Sequence, residues 1–361
     1  MIKIKLHEYD IHRNETTFRP LVMIRNELRD VGVELVVDAA SYDFTLVGQA
    51  SIANKKLPLD ESVDFGLATL KKIDGDYIII DGQDAPTLIG TADVLRHVYK
   101  DKRCKLFLKS SYYKDFDMYK KEWALGRMYW GYDRPGPDQL QSRYGANYSV
   151  PDIDDMKHKM KLAGFNWLST VTPNWNMPGR GNDKYNDISA MFQFPMGKDI
   201  YEHGHLQSYH YDNFRRGLVD KLEVLENKYN VARIINGVRI PQDQYYEKMK
   251  NSKIVIAPFG YGEMAPRDIE SSMFGSVLLK NDMSHIDTIP NIYIDRGTYM
   301  AIKWDWSDLE KRIDEVLSNW PYWVNHLASQ MQTSYEAGNC TWNRVLHIHN
   351  LLKNLDGIGV E

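Results

Sequence analysis

Short apolar runs alternate with amphipathic stretches along most of the chain, and this pattern predicts alternating strands and helices. Runs such as residues 77–80 and 254–257 are apolar and rich in β-branched residues, as is typical of buried parallel strands. Apolar residues three or four positions apart, such as Leu21, Ile24 and Leu28, predict helices. The predicted strands are 2–6, 34–38, 44–47, 77–80, 104–108, 168–171, 188–194, 233–238, 254–257, 277–279 and 292–294. The predicted helices are 18–31, 65–73, 91–100, 152–162, 211–229, 241–250, 265–274, 309–317 and 342–355.

This alternation predicts an α/β protein with parallel sheets, because a strand followed by a helix crosses over to a parallel neighbour. The 361 residues exceed what one hydrophobic core usually fills, so we expect two domains. The stretch 172–187 is rich in Pro, Gly and Asn, and it is the best candidate for a linker. The expected domains are therefore residues 1–175 and 176–335.

Composition narrows the class of protein. Hydrophobic residues make up 43% of the chain, which is enough for ordinary globular cores, and no apolar run is long enough to predict a transmembrane helix. Two cysteines and the absence of a signal-peptide pattern at the N-terminus lead us to expect a reducing, cytoplasmic location. The net charge of −4 argues against nucleic acid as a partner, since proteins that bind it usually carry a basic face.

One stretch, residues 251–279, combines the features of a ligand site. An apolar strand is broken by the sequence Pro-Phe-Gly-Tyr-Gly at 258–262, where Gly260 and Gly262 allow a sharp turn and close approach by a ligand. A helix is predicted from Ala265, with Gly275 at its end. In doubly wound sheets, such a turn at the carboxyl end of a strand is where ligands bind.

The polar residues of this stretch fit a nucleotide. Arg267 and Glu270 lie three positions apart and share a helix face, where the guanidinium suits a phosphate and the carboxylate suits two ribose hydroxyls. Glu263 lies on the loop, and the backbone N–H groups near Met264 and Ala265 suit the same anion. The alternative interpretation is that Arg267 and Glu270 form a surface ion pair beside a tight turn. Their position after an apolar strand and a glycine turn favours the nucleotide site instead.

The run from Ser252 to Leu279 resembles the donor-site segment of the GT-B glycosyltransferases, particularly the exostosin-like group. The resemblance implies two Rossmann-like domains facing a central cleft, a nucleotide-sugar co-substrate with no cofactor, and donor contacts from residues 260–265, Tyr261 among them. It also implies that a C-terminal helix, within residues 336–361, packs back on the first domain. Six residues separate Glu263 from Glu270, whereas seven are typical of retaining members, which argues against retention.

An inverting transfer needs a base for the acceptor hydroxyl, and this base must come from the domain opposite the donor. Asp81 and Asp84 follow the predicted strand 77–80 and are the favoured candidates; the alternative is that they shape a turn and cap the next helix. His7, Glu8 and Asp10 after the first strand are the second choice. Further candidate cations for the leaving diphosphate are Arg239, Arg215 and Lys221, and the alternative for each is a surface charge.

No metal requirement is predicted. The Asp-x-Asp sequences at 74–76, 115–117 and 152–154 precede a strand or lie in loops and at a helix start, and the histidines at 203, 205 and 210 lack supporting ligands. The leading hypothesis is a metal-independent, inverting glycosyltransferase that acts on a glycan hydroxyl. Two alternatives remain: a DNA-base glycosyltransferase of the same fold, and a non-catalytic nucleotide or sugar binding protein.

Overall fold

A computed structural model describes residues 1–7, 15–37, 39–53, 57–83, 85–124, 126–129, 147–165, 184–192, 206–235, 240–260 and 262–355. Two parallel sheets organise these residues. The first has the strand order β2-β1-β3-β4-β5-β9, built from β1 (Ile2–Leu6), β2 (Val33–Val36), β3 (Phe44–Gly48), β4 (Asp76–Asp81), β5 (Cys104–Lys109) and β9 (Met160–Leu162). Between β5 and β9 come three short strands: β6 (Ser111–Tyr113), β7 (Trp123–Ala124) and β8 (Asn147–Tyr148).

Six described helices accompany the first sheet, and their apolar faces cover it. They are α1 (Glu15–Val22), α2 (Arg25–Asp30), α3 (Gln49–Ile52), α4 (Leu59–Lys71), α5 (Ala92–Val98) and α6 (Ile153–Met156), with 3-10 turns at Phe116–Lys120 and Lys157–Lys159. Strand β4 is buried from Tyr77 to Asp81, because helices lie on both faces of the sheet.

The second sheet has the order β11-β10-β12-β13-β15, and every pair in it is parallel. Its strands are β10 (Asn186–Phe192), β11 (Val231–Ile235), β12 (Ser252–Ala257), β13 (Val277–Asn281) and β15 (Met300–Ile302), and the short β14 (Ile286–Thr288) lies between the last two in sequence. The helices of this half are α7 (Leu206–Leu225), α8 (Gln242–Lys250), α9 (Arg267–Met273), α10 (Leu309–Ser318), α11 (Trp320–Asn339) and α12 (Thr341–Lys353).

The carboxyl ends of the two sheets face each other. Leu88 follows β4 and Tyr113 follows β5, and both share one buried cluster with Phe259 and Met264, which follow β12. Strand β6 of the first half also pairs antiparallel with β14 of the second. The structure therefore confirms the predicted α/β class and the two Rossmann-like units of a GT-B arrangement.

Several predicted elements were wrong. The predicted helix 152–162 is a single turn, α6, followed by a 3-10 turn and β9, which adds a sixth strand beside β5. The predicted helix 18–31 is two helices, broken at Met23 and Ile24. Residues 292–294 form no strand, and the twenty-residue α11 was not predicted. Predicted strand 168–171 lies outside the described residues.

Helices α11 and α12 connect the two halves. Gly338 near the end of α11 lies against Pro290, so closely that an added Cβ atom would be 1.9 Å from the proline Cβ. Val345, Ile348 and Leu352 of α12 belong to the buried cluster of the first sheet. The C-terminal helix thus packs on the first unit. The domain boundaries stay predictions: the one at 175 lies among residues 166–183, outside the described chain, and the one at 335 falls within helix α11. Within the described residues, no helix combines the length and the apolar character needed to cross a bilayer.

Candidate functional site

The glycine loop after β12 is held from two sides. Arg215 of α7 is buried and donates a hydrogen bond from Nε to the Phe259 carbonyl at 2.9 Å. From the first unit, the Tyr129 hydroxyl donates to the Gly260 carbonyl at 3.0 Å. Within the loop, the Gly260 N–H donates to the Gly262 carbonyl at 3.0 Å. Arg215 therefore supports the loop through its Nε, and its role as a phosphate ligand stays a prediction.

A cluster of aromatic rings packs against the same loop. The ring of Phe259 stacks on Phe214 with 5.7 Å between centroids, and the ring of Tyr129 lies 4.7 Å from that of Phe259. Since Tyr129 comes from the first unit and Phe214 from α7, the loop is clamped between the two halves. Such packing gives the loop a defined position at the facing carboxyl ends of the sheets.

The helix after the loop begins at Arg267, later than the predicted start at Ala265. The Asp268 side chain accepts a hydrogen bond from the Ala265 N–H at 2.9 Å. This N–H was predicted to be available to a diphosphate, but Asp268 already occupies it. Asp268 is fully buried and also accepts from Lys280 Nζ at 3.0 Å and from the Tyr293 hydroxyl at 2.7 Å. Burial lowers the pKa of Lys280, and Asp268 opposes that shift. Asp268 therefore shapes the start of α9 from inside.

Glu263 is the most unusual side chain of the loop. It has no exposed surface, and neither carboxylate oxygen has a hydrogen-bond partner. His285 lies beside it: its Nε2 is 3.6 Å from Oε1, and its two ring nitrogens also lack hydrogen bonds. Lys280 is buried close by but is committed to Asp268. Buried polar groups are nearly always hydrogen-bonded, so a buried carboxylate without a hydrogen-bond partner suits a donor group of a ligand.

Aromatic rings from both units surround this pair. The ring of His285 lies 5.0 Å from Trp304, 6.2 Å from Phe259 and 6.1 Å from Tyr113 of the first unit. The His285 carbonyl accepts the Lys114 N–H at 3.0 Å, directly beside the β6–β14 pairing. A carboxylate and an imidazole in an aromatic enclosure suit a neutral ligand with hydroxyl groups, because aromatic faces pack on carbon while the polar pair takes the hydroxyls.

Arg267 and Glu270 lie together on α9, as the three-residue spacing predicts, and two tyrosines of α8 join them. Arg267 donates from Nε to the Tyr245 hydroxyl at 3.1 Å. Tyr245 donates to Glu270 Oε2 at 3.1 Å, and Tyr246 donates to Glu270 Oε1 at 3.2 Å. Burial raises the pKa of Glu270, whereas the two hydroxyls oppose that rise because they stabilise the ionised carboxylate. Both members of the predicted nucleotide pair are half-buried, so a ligand can reach them.

The surroundings of Asp81 contradict its predicted role as the general base. Its side chain has no exposed surface and forms an ion pair with Lys109 Nζ at 3.1 Å. Asp81 Oδ1 also accepts the Gln83 N–H at 3.0 Å, and Lys109 donates to the carbonyls of Ala85 and Thr87. The carboxylate thus fastens β4 to β5 and to the following loop, and both of its oxygens already accept hydrogen bonds from the protein. The hydrogen bond from Gln83 agrees with the turn-shaping alternative, whereas the ion pair with Lys109 was not predicted.

The remaining predicted residues fall into two groups. The Met264 side chain is buried in the core between the units and Lys221 is exposed on α7, and the donor contacts expected of these two residues stay predictions. Asp84, Arg239 and Tyr261 lie outside the described residues, as do Glu8 and Asp10. The structure therefore brings together Glu263, Arg267 and Glu270 on one loop and helix.

Sequence reasoning missed several residues of the site: His285, Asp268, Tyr245, Tyr246, Lys280 and Trp304. The adjacent tyrosines at 245 and 246 carried a weak signal, since they fall near the start of a helix that precedes the glycine-loop strand. No sequence signal pointed to His285, because it comes close to Glu263 only in the folded chain, beside the pairing of β14 with β6.

Comparison with known proteins gives no family model and no curated relative that matches this chain. Among solved structures, a sucrose-phosphate synthase from Thermosynechococcus elongatus matches with 12% identity, 98% of each chain covered and a TM-score of 0.49. HepE of Anabaena in complex with UDP-glucose matches with 11% identity, 98% of this chain and 100% of that chain covered, and a TM-score of 0.47. The MnaA protein of S. aureus with UDP matches with 11% identity, 98% and 96% coverage, and a TM-score of 0.44. With TM-scores below 0.5, these likenesses carry no argument about activity.

Proposed function

We propose that this chain is a glycosyltransferase that moves a sugar from a nucleotide-sugar donor to a hydroxyl group of a glycan, with inversion and without a required metal. The observation that carries the proposal is the state of the glycine loop. At the facing carboxyl ends of two parallel sheets, the loop carries a buried carboxylate without any hydrogen-bond partner. An accessible Arg-x-x-Glu pair follows it. A site of this kind at a strand's carboxyl end suits a nucleotide with an attached sugar.

Each residue has a distinct role in this proposal. Glu263 and His285 take hydroxyls of the donor sugar, which supplies the partners that the carboxylate lacks. Arg267 uses Nε on Tyr245 and leaves its terminal nitrogens for the diphosphate, where they neutralise the charge that develops on the leaving group. Glu270 accepts ribose hydroxyls. The general base is then Asp84, because Asp81 is closed off by Lys109.

Slow hydrolysis of nucleotide-sugars tests the proposal. The protein is incubated with UDP-, GDP-, CMP- and dTDP-linked sugars, and release of the nucleotide is measured beside thermal shifts with the same compounds. Glu270→Gln and Arg267→Gln should each lower nucleotide affinity about tenfold or more, because a hydrogen bond to a charged partner is lost. Lys311→Gln is the matched control, since Lys311 is exposed on α10 and should leave binding unchanged. Failure of every donor to bind would remove the proposal.

A non-catalytic nucleotide-sugar binding protein is the second candidate function. The ion pair of Asp81 with Lys109 favours it, because the described part of the first unit then offers no unoccupied carboxylate in that loop to act as a base. Binding of a donor without hydrolysis or transfer, together with an Asp84→Asn variant that binds as the parent does, would support this alternative. Loss of turnover with retained binding in Asp84→Asn would support the enzyme.

A further inference from the structure

We infer that Tyr246 and Tyr245 of α8 are positioning residues that set Glu270 to recognise a ribose, so that the site prefers ribonucleotides to 2′-deoxyribonucleotides. This inference rests on the proposed function, in which Glu270 accepts ribose hydroxyls, and adds to it the residues that position this carboxylate. It follows from the direction of the hydrogen bonds around Glu270.

Every hydrogen bond in the cluster has a fixed direction. Gln242 Nε2 donates to the Tyr246 hydroxyl at 2.8 Å, and that hydroxyl in turn donates to Glu270 Oε1 at 3.2 Å. Arg267 Nε donates to the Tyr245 hydroxyl at 3.1 Å, and that hydroxyl donates to Glu270 Oε2 at 3.1 Å. A guanidinium and an amide nitrogen can only donate, so each tyrosine proton must point to the carboxylate.

Glu270 is therefore held as an acceptor with one hydrogen bond on each oxygen. A carboxylate oxygen has two lone pairs, so each oxygen keeps one position for a further donor. An ionised carboxylate accepts hydroxyl groups and repels phosphate oxygens. Two adjacent acceptor positions match the two neighbouring hydroxyls of a ribose, and a 2′-deoxyribose would leave one position empty.

The tyrosine rings are anchored so that their hydroxyls stay in place. The ring of Tyr246 lies 5.0 Å from that of Phe274, and both tyrosines pack on a buried cluster that contains Met249 and Phe274. The guanidinium of Arg267 also lies over the ring of Tyr245, 5.9 Å from its centroid. Burial raises the pKa of Tyr245 to about 12, which keeps the hydroxyl proton available as a donor at neutral pH.

The two tyrosines differ in what they control. Glu270 is the charged group that the Tyr246 hydroxyl contacts, so loss of this hydroxyl affects recognition of the ribose. Tyr245 joins Glu270 to Arg267, so its loss also releases the guanidinium that faces the diphosphate. The pair thus predicts two different patterns of lost affinity, which a purely structural role would not produce.

Calorimetric titration with UDP and 2′-deoxy-UDP, repeated with GDP and 2′-deoxy-GDP, tests the inference on the full chain. The parent should bind the ribonucleotide about tenfold more tightly than its deoxy form. Tyr246→Phe should lower affinity for the ribonucleotide about five- to tenfold and change the deoxy form less than twofold. Tyr245→Phe should weaken both forms. Tyr322→Phe is the matched control, because Tyr322 is 53% exposed on α11.

The outcomes separate this inference from the proposed function. If the parent binds no nucleoside diphosphate, both fall. If the parent distinguishes ribose from deoxyribose and Tyr246→Phe keeps the same ratio, the proposed function stands and the positioning role is wrong. Gln242→Ala, at an exposed position, is a second variant in case a ring substitution disturbs folding; it should reduce the same ratio.

Discussion

Substitution of Glu263 by Gln should make the protein more stable and weaken donor binding, because the same unpartnered carboxylate causes both effects. The Glu263 side chain has no exposed surface, and neither of its carboxylate oxygens has a hydrogen-bond partner. Removal of an ionised carboxylate from water costs several kcal/mol. Gln has nearly the same shape and carries no charge, so the variant avoids most of that cost.

The magnitude follows from the surroundings of Glu263. His285 Nε2 lies 3.6 Å from the carboxylate, and if the imidazole were protonated the attraction at that distance would be about 5 kcal/mol at an effective dielectric constant of about 20. The His285 side chain is itself only 10% exposed, so its charge would carry a comparable desolvation cost. The pair therefore contributes little net stability, and Glu263→Gln should gain about 1–3 kcal/mol.

Urea unfolding of parent and variant measures this gain as a higher midpoint at an unchanged m-value. Glu122→Gln, the same substitution at an exposed loop position, should shift the free energy of unfolding by less than about 0.5 kcal/mol. Calorimetric titration with UDP-glucose, or with whichever donor binds the parent, should show at least about tenfold weaker binding to Glu263→Gln. A Glu263→Gln protein that is less stable than the parent would refute the reasoning, since it would mean that the carboxylate has a partner in solution.

Three further changes test the fold around the site. Asp81→Asn leaves Lys109 as an uncompensated buried charge, so it should lower the free energy of unfolding by about 3–5 kcal/mol in a denaturant titration; a loss of turnover at full stability would restore Asp81 as the base. Gly338→Ala should lower the urea midpoint although alanine favours helices, because its Cβ atom would overlap the proline that it contacts; an unchanged midpoint would contradict the packing of α11. A thiol reagent should modify Cys340 in the native protein and Cys104 only after unfolding, since Cys104 is buried and burial raises the pKa of its thiol to about 11; rapid native reaction of both would show that β5 is more open than described.

The sequence predicted most of the framework because the framework depends on local patterns. Strand β12 and helix α8 are within a few residues of their predicted bounds, since apolar runs and helical spacing are properties of short segments. The region 152–162 shows the limit of this reasoning. Its acidic start and apolar spacing favour a helix, but strand β5 offers an unfilled edge, and pairing with that edge draws Met160–Leu162 into the sheet.

For the site, the sequence by itself determined that Arg267 and Glu270 share one face beside a glycine turn at a strand end, because that relation is set by helix periodicity. Only the tertiary structure decided which charged groups are free and which are occupied. Asp81 meets Lys109 in the neighbouring strand, Asp268 meets Lys280, and Glu263 is left without a partner. Such pairings join residues that are far apart in the chain, and their free energies depend on burial and on distances of a few ångströms, neither of which a local pattern contains.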